Sequence, residues 1–213
     1  MDPGTHRRNH PLFARMYARA SGRAERAGQA ALRTELLAGA HGRALELGAG
    51  NGLNFAHYPA AVETVVAVEP EPFLRRRATE AAATAPVPVE VIDGVADALP
   101  APDGAFDVAV ASLVLCSVPD QAAALAELRR VLRPGGEVRF YEHVVAERPA
   151  AARLQSGLDR TGIWPHVAGG CRLARDTLGA VEAAGFVVER VRRLRFPPGP
   201  LGLPHVLGIA RRP

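Results

Sequence analysis

Apolar positions along the chain follow two different periods, which divide the sequence into two parts. Between residues 11 and 40 they recur every three or four positions, as Leu12 and Met16 do, which is the spacing of one helix face. Beyond this stretch, short apolar runs alternate with helix-like segments. Strands that alternate with helices predict α/β layers around a mostly parallel sheet. We therefore expect an N-terminal helical cap over residues 1–42 and one α/β domain over residues 43–213.

Seven apolar runs fit strands, and three of the segments between them fit helices. The run at 106–115 is nearly all apolar, as a central strand buried on both faces must be. Asp120 is a suitable N-cap for the next helix, which the Pro-Gly-Gly turn at 134–136 ends, and Gly185 fits a left-handed C-terminal cap. We expect residues 149–170 to be irregular. The predicted strands are 43–47, 62–68, 87–92, 106–115, 137–142, 186–194 and 205–210, and the predicted helices are 71–83, 121–133 and 173–184.

Length and composition place the chain among ordinary globular proteins. Its 213 residues fit one domain, with 48% apolar and 23% charged residues. No run of about 18 uncharged apolar residues occurs, and the start, MDPGTHRR, is polar, so we predict a cytoplasmic protein without a membrane span. Two cysteines, Cys116 and Cys171, form neither a disulfide framework nor a CxxC pair, and we predict no metal site.

The charge pattern bears on the kind of partner. All 26 basic residues are arginine, the net charge is +4, and acidic and basic residues are interspersed. A nucleic-acid surface requires clustered basic residues with aromatic residues among them, whereas aromatic residues make up only 5% of this chain. The pattern is more typical of a solvated surface. We therefore expect a small-molecule substrate and no nucleic acid, with the protein a monomer or a homodimer.

A glycine-rich turn follows the first predicted strand. Gly48, Gly50 and Gly52 lie at the carboxyl edge of the sheet, where α/β folds bind ligands and where glycine lets a ligand approach the backbone. The dinucleotide fingerprint requires GxGxxG/A. Its third glycine falls on Leu53 or Phe55, so neither register fits and a nicotinamide-dependent oxidoreductase is disfavoured.

The turn reads Glu-x-Gly-x-Gly-x-Gly from Glu46, which resembles motif I of the class I methyltransferases that use S-adenosylmethionine (SAM). Glu69 ends the second strand where an acid reaches a ribose, although a solvent-exposed acid is the alternative. The segment 96–100 resembles the part of these enzymes that lies beside the adenine ring. The resemblance implies a Rossmann-like fold with seven strands and helices on both faces. It also implies SAM as cofactor, bound by Glu46, Gly48, Gly50, Gly52, Asn54, Glu69, Pro70, Ala96, Asp97 and Leu113.

A narrower resemblance lies outside these motifs. The segments 54–59, 113–118, 142–144, 170–173 and 204–206 recur in this order in the methyltransferase-like 7 family. Members of that family methylate the sulfur of small thiols, which implies a small thiol as acceptor here. Animal members begin with an apolar membrane anchor and this chain has a polar start, so we do not carry membrane attachment over.

Candidates for the acceptor side follow from position. His143 leaves the fifth strand at the ligand edge, where it would orient or deprotonate an acceptor as the catalytic residue, and Cys116 ends the fourth strand. Packing is the alternative for both, and it is favoured for Cys116 because buried cysteine usually behaves as a small hydrophobic residue. Packing is also the favoured interpretation for His205. We expect Cys171 to open a helix and to pack. The predicted substrate-binding residues are Tyr17, Cys116, His143, Trp164 and His205.

These patterns predict in-line transfer of a methyl group to a small molecule. A thiol with a pKa of about 8.5 is already a few per cent thiolate near neutral pH, so it does not need a strong base. A hydroxyl acceptor needs a positioned base, usually histidine. An O- or N-methyltransferase and a SAM-binding protein without catalysis are the alternatives.

Overall fold

The computed structural model describes residues 11–199 and 202–213, and for Pro11 and Leu12 only the backbone. The strands are β1 (Gly42–Leu47), β2 (Val62–Val68), β3 (Val89–Ile92), β4 (Phe106–Ser112), β5 (Leu132–His143), β6 (Val187–Phe196) and β7 (Leu203–Arg211). The α-helices are α1 (Pro11–Ala24), α2 (Ala30–Leu37), α3 (Pro72–Ala82), α4 (Gln121–Val131), α5 (Pro149–Arg160), α6 (Ile163–Val167) and α7 (Thr177–Ala183).

The strands form a single sheet in the order β3-β2-β1-β4-β5-β7-β6. The first five strands of this order pair in parallel, whereas β7 is antiparallel to both β5 and β6. The strand order reverses between β1 and β4, and in open α/β sheets the ligand crevice lies at such a reversal. The predicted Rossmann-like sheet of seven mostly parallel strands is confirmed.

Helices cover both faces of the sheet. On one face, α4 and α7 bury Leu125, Leu128 and Val181 in a core that also contains Phe140 of β5. On the other face, Leu36 of α2 belongs to a second core, which includes Ala78 of α3. β4 lies between the two cores, and all its residues except Asp107 are buried, as the apolar pattern of this strand predicts.

Three helices begin at acidic N-caps. The side chains of Glu71, Asp120 and Asp176 each accept a hydrogen bond from the backbone amide three residues further on, at 2.7, 3.0 and 3.0 Å. These bonds satisfy amides that have no partner within the helix. Gly185 follows α7 with φ 83°, the left-handed cap that the sequence predicts.

Several predicted boundaries were wrong. β4 ends at Ser112 and not at residue 115, because Leu113 has φ 57° and turns the chain out of the sheet. α4 ends at Val131, three residues before the Pro-Gly-Gly turn, and Leu132 already belongs to β5. β5 forms this turn within its own length, where its pairing with β4 changes register.

The stretch 149–170, which we predicted to be irregular, contains the helices α5 and α6. Pro149 at the first helical position was the available signal. The helix predicted over 173–184 begins only at Thr177, because Asp176 caps it there. Cys171 therefore lies in a loop and does not open a helix.

The N-terminal helices are joined by a kink. Residues Glu25–Gln29 form a π-helical segment in which Gly28 has φ 118°, so α1 and α2 are not one continuous helix. Within residues 11–199 and 202–213, no helix has the length and apolar character needed to cross a membrane.

Candidate functional site

A cavity opens at the carboxyl ends of β1, β2 and β4, where the sheet topology places a ligand. The lining comes from α1, from the end of β1 and the glycine-rich turn, from the loops after β2, β3 and β4, from α3, and from Gly169 after α6. Eight of the predicted site residues line this cavity: Tyr17, Gly48, Gly50, Glu69, Pro70, Ala96, Asp97 and Leu113.

Two glycines of the turn form part of the cavity wall. Gly48 and Gly50 have φ 63° and φ 58°, values that L side chains rarely adopt. A Cβ on Gly48 would lie 2.4 Å from Cγ2 of Val114, and one on Gly50 would lie 3.3 Å from the ring of Tyr17. The backbone of the turn therefore lies close to Val114 and Tyr17 and to the cavity between them.

Gly52 does not line the cavity, and its role in the structure is to allow close packing. It has φ 77°, and a Cβ would lie 2.9 Å from both Ala81 and Phe55. Its predicted cofactor contact is therefore at most indirect, through the shape of the turn.

Glu69 is fixed at the wall of the cavity by backbone amides. Oε2 accepts a hydrogen bond from the Gly50 amide at 2.8 Å, and Oε1 accepts one from the Glu71 amide at 2.9 Å. The residue is 5% exposed, and its burial raises the pKa of the carboxyl to about 7 against these two hydrogen bonds, which lower it. A buried carboxylate with free lone pairs at a cavity wall is an acceptor for hydroxyl groups.

Glu46 and Asn54 lie behind the turn and not in the cavity lining. The Asn54 amide donates to Glu46 Oε1 at 3.0 Å, and the Tyr58 hydroxyl donates to Glu46 Oε2 at 2.8 Å. Arg33 of α2 donates to Asn54 Oδ1 at 2.7 Å and to Glu25 at 2.9 Å. The side chains of Glu46 and Asn54 are therefore bound in a buried network that connects the turn to the N-terminal helices. Burial raises the pKa of Glu46 to about 7.

The loop after β3 forms the opposite edge of the cavity. The amide of Ala98 donates to the carbonyl of Val95, which closes a tight turn around Ala96 and Asp97. The Asp97 side chain is exposed at the mouth, so its carboxylate is open to water as well as to a ligand. Hydrogen bonds made at such an edge are weaker than those made in the buried interior.

Glu142 is an important residue that sequence reasoning did not assign to the site. It is fully buried at the end of β5, and its oxygens accept hydrogen bonds from the amides of Val114, Leu115 and Cys116 at 2.9, 2.9 and 3.2 Å. These bonds fix the loop in which Leu113 has its left-handed conformation. A charged residue at the end of an otherwise buried strand was the signal for it. Burial raises the pKa of Glu142 to about 7.

α1 covers the mouth of the cavity. Phe13 and Tyr17 line it from this helix, and Phe13 also lies against Gly169 on the far side. Burial raises the pKa of the Tyr17 phenol. The helix thus contributes to the wall, as the prediction for Tyr17 requires.

Cys116, His143, Trp164 and His205 do not line the cavity. Cys116 directly precedes Ser117, a lining residue, and is 3% exposed. His143 pairs with His205 across β5 and β7, with the rings edge to face at 5.5 Å. Burial lowers the pKa of His205 to about 4, and its Nδ1 donates to the Leu203 carbonyl at 2.9 Å, so the ring is neutral near pH 7.

The rest of the lining was not predicted from the sequence, and most of it lies in the loops after β2, β3 and β4. These residues are Phe13, Leu47, Glu71, Leu74, Gly94, Val95, Val114, Ser117, Val118, Pro119 and Gly169.

Comparison with known proteins agrees with this geometry. A model of the methyltransferase domain matches residues 45–140. The human thiol S-methyltransferase TMT1B is 38% identical over 184 residues, which are 82% of this chain and 73% of TMT1B. Human thiol S-methyltransferase TMT1A is 36% identical over 171 residues, which are 78% of this chain and 69% of TMT1A.

Solved structures match over nearly the whole fold. A putative methyltransferase of Bacillus halodurans superposes with a TM-score of 0.71 at 17% identity, covering 86% of this chain and 98% of that one. A possible histamine N-methyltransferase of Thermotoga maritima gives 0.68 at 21% identity, covering 95% and 99%. At these identities the matches show the shared fold.

The sheet order, the glycine-rich turn and the acid after β2 define a class I SAM-dependent methyltransferase, and the matched domain confirms that the protein is an enzyme of this class. The identity and coverage with TMT1A and TMT1B then show that the chain belongs to the same methyltransferase family as these two proteins.

Proposed function

We propose that this protein transfers the methyl group of SAM to a small-molecule thiol, and that SAM binds in the cavity beside the glycine-rich turn. The proposal rests on the position of the Glu69 carboxylate. Its carboxylate is buried and held by two amides at the wall of the cavity, with lone pairs left for further donors. The adjacent hydroxyls of a ribose are a matching pair of donors, and a charged acceptor holds them more strongly than a neutral one.

The residues around Glu69 fit the remaining parts of SAM. The glycines at 48 and 50 keep the turn free of side chains on the ligand side, and a Cβ on Gly48 would collide with Val114. Pro70, the backbone of Ala96 and the carboxylate of Asp97 line the side on which the adenine would lie. In this proposal Glu46, Gly52 and Asn54 act indirectly, because they shape the turn from behind.

SAM supplies a methyl group that its positively charged sulfur already activates. The protein therefore has to hold the acceptor in line with the bond that breaks, and such orientation supplies roughly 7–11 kcal/mol of the barrier reduction in favourable cases. The loop after β4 suits this task, since Glu142 fixes it through three amide hydrogen bonds. The lid-like position of Phe13 and Tyr17 excludes water from the same space.

Two observations favour a thiol as acceptor. The relatives at 35–38% identity are named thiol S-methyltransferases. The acceptor end of the cavity is lined by apolar side chains, including Phe13, Val114 and Val118, which suit a small apolar thiol. Such a thiol is partly ionised near neutral pH and reacts without a strong base.

We propose supporting roles for the predicted acceptor-side residues. Tyr17 covers the cavity, while Cys116, His143 and Trp164 form the layer behind the acceptor end. His143 remains the candidate for orienting or deprotonating the acceptor. His205 supports the His143 ring by edge-to-face packing.

We also propose that the N-terminal helices act as a cap in which α1 closes over bound SAM, because Tyr17 lies beside Gly50 of the turn. Residues 1–10 of the predicted cap lie outside the described residues. A cytoplasmic location, and a monomer or homodimer as the working form, complete the proposal.

Two measurements test the proposed function. Calorimetric titration with S-adenosylhomocysteine, the product form of the cofactor, should show micromolar binding, and an absence of binding would contradict the donor site. A panel of small thiols, phenols and amines, assayed with SAM, should give its highest kcat/KM on thiols. Higher values on phenols throughout the panel would refute S-methylation and leave the methyltransferase assignment intact.

A further inference from the structure

The two cysteines of the chain meet in space. Cys116 lies in the loop after β4, and Cys171 lies in the loop between α6 and α7. The two loops are joined by a backbone hydrogen bond of 2.9 Å from the Arg172 amide to the Cys116 carbonyl, and the Cys116 thiol hydrogen-bonds the Cys171 sulfur. Neither cysteine belongs to a helix or strand, so a disulfide between them would join two loops.

Two further polar side chains converge on the Cys171 sulfur. His143 is 4% exposed, and neither of its ring nitrogens has a nitrogen or oxygen partner among residues 11–199 and 202–213. The buried Nε1 of Trp164 has none there either. A buried donor without a partner is costly, and an anionic sulfur beside these groups relieves that cost. The hydrogen bond from Cys116 lowers the pKa of Cys171 most, and His143 and Trp164 lower it further, to about 5.

Charged groups of both signs surround the pair. Arg175 lies near both cysteines, with Arg172 beside it, and donates to the Leu115 carbonyl at 2.8 Å. Glu142 lies beneath Cys116, and Tyr17 faces it from α1. The hydrogen bond to Cys171, together with burial and the carboxylate of Glu142, raises the pKa of Cys116 well above its ordinary value. One cysteine is thus set up as a thiolate and the other as a thiol.

The two cysteines also differ in their exposure to solvent. Cys171 is partly exposed, whereas Cys116 is 3% exposed. Their neighbours Gly169 and Ser117 both line the cavity, so a small molecule at its acceptor end lies close to Cys171. Reactive cysteines are typically partly exposed thiolates in electropositive surroundings, with a second thiol within reach.

We propose that Cys171 and Cys116 form a second reactive site, which carries out thiol–disulfide exchange with small-molecule disulfides at the acceptor end of the cavity. The Cys171 thiolate attacks one sulfur of the disulfide, the S–S bond breaks, and one thiolate leaves and takes a proton from water. Cys116 then attacks the Cys171 sulfur of the mixed disulfide, expels the second thiolate and passes its proton to it. The small disulfide is reduced to two thiols, and the protein pair is oxidised to a disulfide.

This site does not depend on the proposed methyl transfer, because the exchange needs neither SAM nor a methyl acceptor. Its test is therefore carried out without SAM, so that failure of one proposal leaves the other standing.

The aromatic disulfide 5,5′-dithiobis(2-nitrobenzoate) is a suitable probe, because its released thiolate is coloured and the chain contains only two cysteines. The full-length wild-type protein should release two equivalents of thiolate at neutral pH. Peptide mapping should then find Cys116 joined to Cys171. One equivalent with a stable mixed disulfide, or two probe adducts on separate cysteines, would overturn the proposal.

The two serine variants form a matched pair. Cys171→Ser should slow thiolate release by at least about tenfold, since the buried and protonated Cys116 is a poor nucleophile. Cys116→Ser should release one equivalent at a rate close to that of the wild type and retain the mixed disulfide. Equal rates for the two variants would contradict the assignment of nucleophile and resolving thiol.

His143→Gln tests the environment of the thiolate. Release at neutral pH should slow by about tenfold and recover as the pH rises, because the Cys171 pKa moves toward its ordinary value. An unchanged pH profile would contradict the role of His143. Binding of S-adenosylhomocysteine by each variant reports that it is folded, and the wild-type peptide map decides the proposal independently of any variant.

Discussion

The two ends of the cavity are built in different ways. At the donor end, Gly48, Gly50 and Glu69 come from two adjacent strand ends and interact through the backbone. Beside the proposed acceptor end, outside the cavity lining, Cys116, His143, Trp164 and Cys171 come from distant parts of the chain and interact through side chains. Backbone contacts tolerate changes of side chain elsewhere, whereas a side-chain cluster changes with each substitution. The donor end is therefore suited to one fixed ligand and the acceptor end to a variable one.

Glu69→Ala should have the largest effect of the substitutions, and this effect should fall on binding at the donor end. It removes the proposed ribose acceptor and leaves the amides of Gly50 and Glu71 buried without a partner. We expect the binding free energy of S-adenosylhomocysteine to weaken by about 3 kcal/mol, which raises its Kd by on the order of 100-fold. Calorimetric titration measures this change. Glu90→Gln on β3, an exposed acid, is the control and should bind normally. Binding by Glu69→Ala within about threefold of the wild type would place the ribose elsewhere.

Gly48→Ala should show how strongly the backbone of the donor end is constrained. Its φ of 63° and the 2.4 Å approach of a Cβ to Val114 predict a loss of about 2 kcal/mol in the free energy of unfolding. Gly157→Ala is the matched control, because Gly157 lies in α5 with open space around its Cβ. That variant should gain about 0.5–1 kcal/mol. Urea denaturation measures the unfolding free energy of both variants. Equal stabilities would show that the turn accommodates a side chain at residue 48 without strain.

The affinity of the donor end should depend on pH through Glu69. Burial raises the pKa of its carboxyl to about 7, and the ionised form is the stronger acceptor for hydroxyl groups. Lowering the pH from 8 to 6 protonates the group, so the affinity for S-adenosylhomocysteine should fall by about tenfold. Glu69→Gln should bind more weakly with a flat pH profile. A wild-type profile that is flat over this range would show that Glu69 stays ionised.

Trp164→Phe should have the smallest effect and should leave donor binding intact. The substitution keeps most of the packing of α6 but removes the Nε1 donor beside Cys171. We expect KM for a thiol acceptor to rise about threefold, equivalent to roughly 0.6 kcal/mol, at an unchanged Kd for S-adenosylhomocysteine. Initial-rate kinetics over a range of acceptor concentrations measures this. A parallel change in both constants would mean that the two ends are coupled.

Prediction of the fold from the sequence succeeded where the local pattern and the tertiary environment coincide. The apolar run at 106–112 is buried on both faces because β4 is central, and the acid at Asp120 caps α4 because the amide of Ala123 is next to it in sequence. Prediction failed at 113–115 and at 149–170, where apolar or alanine-rich segments suit several conformations. The amide hydrogen bonds to the distant Glu142 decide the conformation of the first of these segments.

The sequence by itself predicted the donor end that we propose. The spacing of Gly48, Gly50 and Gly52 and the acid at Glu69 are local features, and parallel strands bring their carboxyl ends to one edge without further information. Only the tertiary structure decided that Glu46 and Asn54 face a buried network instead of the cavity.

Only the tertiary structure likewise brought Cys171 next to Cys116 and His143, because these contacts join loops that are far apart in the chain. The pKa values of the two cysteines depend on burial and on neighbouring groups, which no spacing along the sequence specifies.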